Sequence, residues 1–218
     1  MEKRKQNFFS ARYFIHDFVR IAAFLPGFLW WRPKHLYENE NARKKIKGGT
    51  LLISNHVWFT DPIFLMYGIW YRRLHFVALK VLFNAPAKNF WFRHFLCIPI
   101  DRENVSMETF REIVGLLKDD EVVAMFPEGK INGGNDGLQA FRSGMILMAM
   151  QSRKPIRPVY IRKKKGVRYR LLIVVGEEMK LSEGGMDLNE ISRATDELFE
   201  REKKLQEIAE RYYGPSAD

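Results

Sequence analysis

The chain has a single cysteine among 218 residues, Cys97, so no disulfide can close within it. That usage fits a reducing compartment. Cys97 sits in the apolar run "HFLCIPI" and reads as a small core hydrophobe, not a reactive thiol. No cleavage site of small residues follows the basic start "MEKRKQNFF", so a signal peptide is not expected. The uncharged run "IAAFLPGFLWW", Ile21 to Trp31, falls far short of the roughly 20 residues that cross a bilayer. The G-x-x-x-x-G-K-[ST] spacing of a P-loop is missing. So are a serine or cysteine elbow, an internal repeat and any nucleic-acid fold signature. These absences argue against P-loop chemistry and leave any nucleophile to be supplied by a substrate.

What is present is a basic, globular composition: net charge +10, 46% hydrophobic and 28% charged residues. The charge favours an anionic partner, whether nucleic acid, an anionic membrane surface or a phosphorylated substrate. Near the N-terminus Phe14, Phe18, Ile21 and Leu25 recur at helical spacing, while Arg12, His16 and Arg20 mark another face. The pattern predicts an amphipathic helix broken near Pro26-Gly27. Its aromatic residues, Phe14, Phe18, Phe24, Phe28, Trp30 and Trp31, suit a membrane interface, with the tryptophans at headgroup depth. An aromatic helix docked on the protein's own core fits the same pattern. Residues 1–35 are accordingly read as a membrane-docking helical motif and residues 36–218 as the α/β domain.

After a charged connector, short apolar runs alternate with helical periods. Strands are predicted at Thr50–Ser54, His75–Leu79, Leu96–Ile100, Glu121–Phe126, Ile156–Arg162 and Val167–Val175, and helices at Pro62–Tyr71, Ser106–Lys118 and Gln139–Met150. Such alternation predicts an α/β fold: one layered domain, a mainly parallel central sheet flanked by helices, and one antiparallel hairpin at "RKKKG". Asp187 and Glu190 suggest a capping box opening a long C-terminal helix that ends at Gly214-Pro215.

Within "LLISNHVWFTDPIF", His56 and Asp61 stand five positions apart at a strand-to-helix turn. Asp61-Pro62 has the composition of a helix start, aspartate as cap and proline in the first turn, which would leave His56 an ordinary turn residue. Equally, an aspartate there can fix a histidine tautomer and make its outer nitrogen a general base acting on a substrate hydroxyl. A histidine–carboxylate metal site is a third option, although the other four histidines show no ligand spacing. Arg102 follows a strand and suits either phosphate or a surface ion pair with Asp101 or Glu103. Glu128 and Gly129 open a glycine-rich loop that permits close backbone approach to a ligand. Pro155 and Pro158 bracket a strand start that could line a pocket or shape an edge.

Four stretches occur in an order that resembles the glycerolipid acyltransferases, the family of lysophosphatidic acid (1-acylglycerol-3-phosphate) O-acyltransferases with its NHx4D motif. "NHVWFTD" resembles the first motif, "IPIDR" the second, "FPEG" the third and "IRPVYI" the fourth, over roughly Gly48 to Ile161. Lys80 resembles a lysine between the first two motifs, "FRSG" a further recurring stretch, and the N-terminal helix the membrane-docking helices of bacterial members. The resemblance implies acyl transfer from acyl-CoA or acyl-carrier protein to a lysophospholipid hydroxyl, without a cofactor or metal. It implies His56 as base and Asp61 as its orienter. Lys80, Arg102, Glu128, Gly129 and Lys130 would bind the acceptor and its phosphate, and Arg157 and Pro158 would shape the donor pocket. Backbone N–H groups near Gly129 are candidates for the oxyanion site. Where the family continues "EGTR", this chain has Glu128-Gly129-Lys130-Ile131. Lys130 supplies a cation without a bidentate fork, so a different lipid hydroxyl or amine is an alternative acceptor. The implied location is the cytoplasmic face of a membrane, peripheral or monotopic, with no nucleic-acid partner. A non-catalytic basic protein binding lipid or nucleic acid, motivated by "RKKKGVRYR", is the rival class, and a thioester hydrolase using the same His–Asp pair is another.

Overall fold

Leu51, Leu52 and Ile53 are fully buried in strand β2 (Thr50–Ser54), whose neighbours on both sides run parallel to it. A strand covered on both faces has no wet side to alternate with, hence its unbroken apolar run. The computed structural model describes residues 13–101, 103–132, 138–164, 170–181 and 187–213. In chain order the other elements are α1 (Phe14–Trp31), β1 (Lys34–Tyr37), α2 (Asp61–Gly68), β3 (Leu74–Leu79), α3 (Pro86–His94), β4 (Cys97–Ile100), α4 (Met107–Lys118), β5 (Val122–Met125), α5 (Gly144–Ser152), β6 (Ile156–Lys164), β7 (Arg170–Val175) and α6 (Leu188–Tyr213). A 3-10 turn, Lys80–Phe83, lies between β3 and α3.

The seven strands form one sheet in the order β1-β7-β6-β2-β5-β3-β4. Among the described strands only β6 and β7 pair antiparallel; the other strand pairings are parallel. This is the α/β architecture that the alternation predicts. The steps β2→α2→β3 and β3→α3→β4 move one way across the sheet, and β4→α4→β5 and β5→α5→β6 move back. Right-handed crossovers therefore put α2 and α3 on one face and α4 and α5 on the other. The cores agree: Phe64 and Leu65 of α2 pack with Leu52, Phe76 and Ala124, while Ile113 of α4, Ile146 of α5 and Leu198 of α6 pack with Leu51, Ile53 and Val123. The direction reverses between adjacent β2 and β5, so the loops leaving them part to opposite faces. That opens a crevice at their carboxyl ends, where α/β sheets bind ligands.

Predicted boundaries hold to within a few residues. α4 begins after Ser106, whose hydroxyl accepts the Thr109 N–H at 3.1 Å. The helix predicted from Gln139 starts later, at Gly144. The strand predicted from Val167 is seen from Arg170, and residues 165–169, with the hairpin tip, lie outside the described residues, as do Gly214 and Pro215. Two elements were unforeseen. β1 pairs with β7 from Lys34↔Leu172 to Tyr37↔Val175, inside the segment read as a connector and across the 35/36 boundary. Four residues, "KHLY", are too few to show a period, and β7 alone makes them a strand. α3 was missed because none of its nine residues is buried, which leaves no apolar stripe facing the core.

The largest departure concerns α1. It continues through Pro26 to Trp31, not broken there. Proline removes one backbone N–H, a loss that packing of Phe24 on Tyr67 (5.3 Å) and Trp31 on Phe64 (5.2 Å) offsets. Gly27 permits the close approach: a Cβ there would meet the Tyr67 hydroxyl at 1.7 Å. Phe24 and Trp31 thus face inward, not toward a membrane. The polar face also turns inward. His16 and Asp17 are each 2% exposed, and Arg73 donates to both Asp17 oxygens, at 3.0 and 2.7 Å. Burial alone would raise the Asp17 carboxyl, but hydrogen bonds from Arg73 and His16 and the charges of Arg73 and Arg20 together hold it below its ordinary range. Phe14, Phe18, Ile21, Leu25 and Leu29, the apolar stripe, face out.

Asp17→Ala removes the carboxylate that the buried Arg73 guanidinium donates to twice, and is expected to lower the unfolding free energy by about 3 kcal/mol in urea titration at pH 7. Because the Asp17 pKa is depressed on folding, the difference from wild type should shrink as pH falls below about 4. A constant difference would show that the ion pair is not its source.

Candidate active site

β2 ends at Ser54, and Asn55 fastens that end to β6. Its Nδ2 donates to the Ile161 carbonyl at 2.9 Å and its Oδ1 accepts the Ile161 N–H at 2.8 Å. His56 is therefore the first residue free of the sheet. The chain then turns so that Asp61, fully buried, reaches back. Its Oδ2 accepts three hydrogen bonds: from the backbone N–H of Val57 at 2.7 Å, of Trp58 at 2.8 Å, and from His56 Nδ1 at 3.0 Å. The helix cap is Thr60, not Asp61, and Pro62 occupies the first turn. The aspartate thus organises the turn before the helix; it does not cap it.

An oxygen taking three donors acts as a carboxylate oxygen, which assigns the His56 proton to Nδ1 and leaves the Nε2 lone pair directed outward. The imidazole, 17% exposed, stacks on Phe126 at 4.1 Å between centroids and 19° between planes. The His56 carbonyl accepts the Asn132 N–H at 2.6 Å, so the loop leaving β5 grips the loop leaving β2. After Phe126, Gly129 adopts φ 67°, in the left-handed region that glycine enters without cost, and its N–H donates to the Phe126 carbonyl at 3.1 Å. That bond closes the turn after Phe126. Glu128 is buried. Burial pushes its carboxyl up, opposed by nearby His56 and Asn132 and the Gln139 backbone.

Of the sequence-predicted residues, His56, Asp61, Glu128 and Gly129 come together at the crevice between β2 and β5. Lys80, exposed at the carboxyl end of β3, and Lys130, exposed beyond Gly129, occupy the same edge of the sheet. Arg102 lies outside the described residues. Arg157 and Pro158 do not join the site. They pair with Leu52 and Ile53, near the start of β6, and the Arg157 guanidinium is buried in an ion pair with Glu178 at 3.1 Å and a bond to the Lys44 carbonyl at 2.8 Å. Leu52 precedes His56 by four residues, about 13 Å of strand. The "IRPVYI" stretch reaches the site through its other end, Ile161. Sequence reasoning missed Asn55, Phe126 and Asn132 as supports. The first two lie inside the quoted motifs, but their roles depend on β6 and on a ring stack across two loops. Among the described residues, no group of three or more His, Cys, Asp or Glu is placed to hold a metal ion.

Residues 34–162, more than half the chain, match the family model described as Acyltransferase. The chain belongs to this acyltransferase family. Among curated proteins it is similar to the 1-acyl-sn-glycerol-3-phosphate acyltransferase of Bacillus subtilis, with 29% identity over 127 residues, 56% of this chain and 59% of that protein. A protein of the same description from Streptococcus pneumoniae is 30% identical over 110 residues, 50% of this chain and 40% of that one. The similarity thus spans about half the length of these curated relatives. The crystal structure of the 1-acyl-sn-glycerophosphate (LPA) acyltransferase PlsC from Thermotoga maritima shares the fold, with a TM-score of 0.64 at 19% identity, over 99% of this chain and 86% of that one. The matched segment of this family member runs from β1 to β6 and so contains the whole His56–Asp61 turn.

Asn55→Ala removes both bonds to the Ile161 backbone and leaves a buried donor and acceptor unpaired. It is expected to cost about 2–4 kcal/mol in denaturant unfolding. A loss under 1 kcal/mol would show that β2 and β6 hold their register without the splint.

Proposed function

We propose that this chain moves a fatty acyl group from a thioester donor, acyl-CoA or acyl-carrier protein, to the hydroxyl of a lysophospholipid such as 1-acylglycerol 3-phosphate. The observation that carries the reading is the three-donor clamp on Asp61 Oδ2, which leaves His56 Nε2 as a base in the crevice. The description of the curated relatives supports the same acceptor class. In the proposed step, Nε2 takes the hydroxyl proton as the oxygen attacks the thioester carbonyl. The tetrahedral oxyanion then collapses, the C–S bond breaks, and the imidazolium returns its proton to the thiolate. Asp61 orients the ring and stabilises the imidazolium charge. Lys80 and Lys130, with Arg102 as the sequence suggests, would bind the acceptor phosphate. Glu128, behind His56, would shape the acceptor side.

The proposed site of action is a membrane surface. Among the described residues no helix is long and apolar enough to cross a membrane. The outward stripe of α1, Phe14, Phe18, Phe28 and Trp30 among its members, would lie in the interface as an N-terminal docking motif. On this reading the protein is peripheral or monotopic at a cytoplasmic membrane face, the acceptor reaching the crevice from the lipid and the polar donor from water.

His56→Ala is expected to lose at least about 10³-fold in turnover, and Asp61→Asn roughly 10²–10⁴-fold with its fold retained, in an assay with both donor types and a panel of lyso-lipid acceptors. Wild-type-like turnover in His56→Ala ends the reading. Free fatty acid without acylated lipid would assign the site to hydrolysis instead. For the membrane, Phe14→Ser with Phe18→Ser should keep the thermal unfolding midpoint while lowering cosedimentation with anionic liposomes severalfold. Undiminished cosedimentation would count against α1 as the anchor. Truncation before Pro33 is a poorer test, since it uncovers Arg73, Phe64 and Tyr67.

A further inference from the structure

Helix α3 is unusual for a helix of a layered domain in burying none of its residues, although three of its nine are Phe90, Trp91 and Phe92. Phe90 and Trp91 are each 50% exposed, and Val81 in the preceding 3-10 turn is 64% exposed. Apolar side chains gathered on a surface mark a contact with something other than water. They do not stand alone. Twenty large hydrophobic residues are exposed among the described ones. Fourteen of these belong to α1, to the stretch from Trp58 to Trp70 that holds the catalytic turn and α2, or to the 3-10 turn and α3. Right-handed crossovers put α2 and α3 on one face of the sheet, and α1 packs on α2. The apolar surface is therefore concentrated on one side of the molecule. α3 borders the edge strand β4, α1 packs on α2 and on Arg72 and Arg73 just before β3, and His56 stands at the start of the turn that leads into α2.

Charge selects the occupant. From Pro62 to Ile100, thirty-nine residues, there is no aspartate or glutamate, although the chain has 26. The same span has Arg72, Arg73, Lys80, Lys88 and Arg93, of which Lys80, Lys88 and Arg93 are exposed beside the aromatics. From residue 13 to 37 the one acid is Asp17, which is buried under Arg73. Half-exposed Trp and Phe with cations, and no anions among them, match the headgroup boundary of an anionic bilayer: the rings enter the acyl edge and the cations meet the phosphates.

We propose that α3 and the 3-10 turn before it form a second membrane contact, on the same face of the sheet as α2 and distinct from α1, that binds an anionic bilayer surface. This rests on the membrane reading of α1 and extends it. Two contacts orient the molecule where one helix only tethers it, and Phe59, 72% exposed in the His56–Asp61 turn, would then face the lipid from which the acceptor comes.

The test uses full-length variants that keep a single tryptophan, Trp91 or Trp30, the other four replaced by phenylalanine. They are mixed with phosphatidylcholine vesicles, with or without phosphatidylglycerol, bearing brominated acyl chains. The proposal expects Trp91 emission to shift blue and be quenched on the phosphatidylglycerol vesicles. In the otherwise native chain, Phe90→Ser with Trp91→Ser should weaken partition to those vesicles by roughly tenfold without lowering the thermal midpoint. Quenching of Trp30 with Trp91 unaffected overturns the proposal and leaves α1 as the anchor. If neither is quenched, the membrane reading falls and the proposal with it. Equal quenching of Trp91 on pure phosphatidylcholine rejects the anionic surface as its partner, as does undiminished partition of the double serine variant.

Discussion

One carboxylate oxygen holds the turn of the candidate active site together. Asp61 Oδ2 is buried at the base of the loop leaving β2 and takes hydrogens from two backbone amides and one imidazole. A buried anion is tolerated only when donors surround it, and here the donors are the turn itself. The same contact closes the loop, fixes the histidine proton on Nδ1 and starts α2 at a set position. The side chains between, Trp58 and Phe59, are driven outward because the backbone amides of the turn point in. A catalytic reading and a structural reading of Asp61 therefore describe one interaction.

The second constraint is the inverted face of α1. In a helix docked on a soluble core the apolar stripe faces in and the charges face out. Here Asp17, His16 and Arg20 meet Arg73 beneath the helix, and Phe18, Ile21 and Leu25 look outward. Buried ion pairs contribute little net stability but are costly to break, so they specify orientation more than they strengthen it. An orientation that leaves a row of aromatics in water makes sense if the outer medium is not water, which is the basis of the proposed membrane docking. Helix α3, with Phe90 and Trp91 half-exposed, extends the same proposed surface.

Opposite that surface the molecule is conventional. α4, α5 and α6 bury regular stripes, such as Ile191, Ala194, Leu198, Leu205 and Ala209 along α6. The α6 stripe also contains Glu202, fully buried, whose carboxyl burial pushes well above its ordinary range. Buried Arg157 pairs with half-buried Glu178 near the amino end of β6. Motif residues can thus be structural: Arg157 sits among stretches that resemble the family's motifs yet secures the edge of the fold remote from His56.

The local pattern alone determined a good part of this protein. The buried run of β2, the 3.6-residue period of α4 and the alternation of strands with helices establish an α/β sheet, because each signal arises within a few residues of chain. The spacing of His56 and Asp61 across a strand-to-helix turn likewise brings them together locally. Tertiary structure decided the rest. A period shows that a helix has two faces but not which one is inside. For α1 that choice rests on Arg73, 56 positions from Asp17. β1 is a strand because β7 offers an edge, Asn55 is a splint because Ile161 lies beside it 106 positions on, and Arg157 is interior because Glu178 meets it there. Charge burial is set by partners distant in the chain, and no short stretch of sequence contains them.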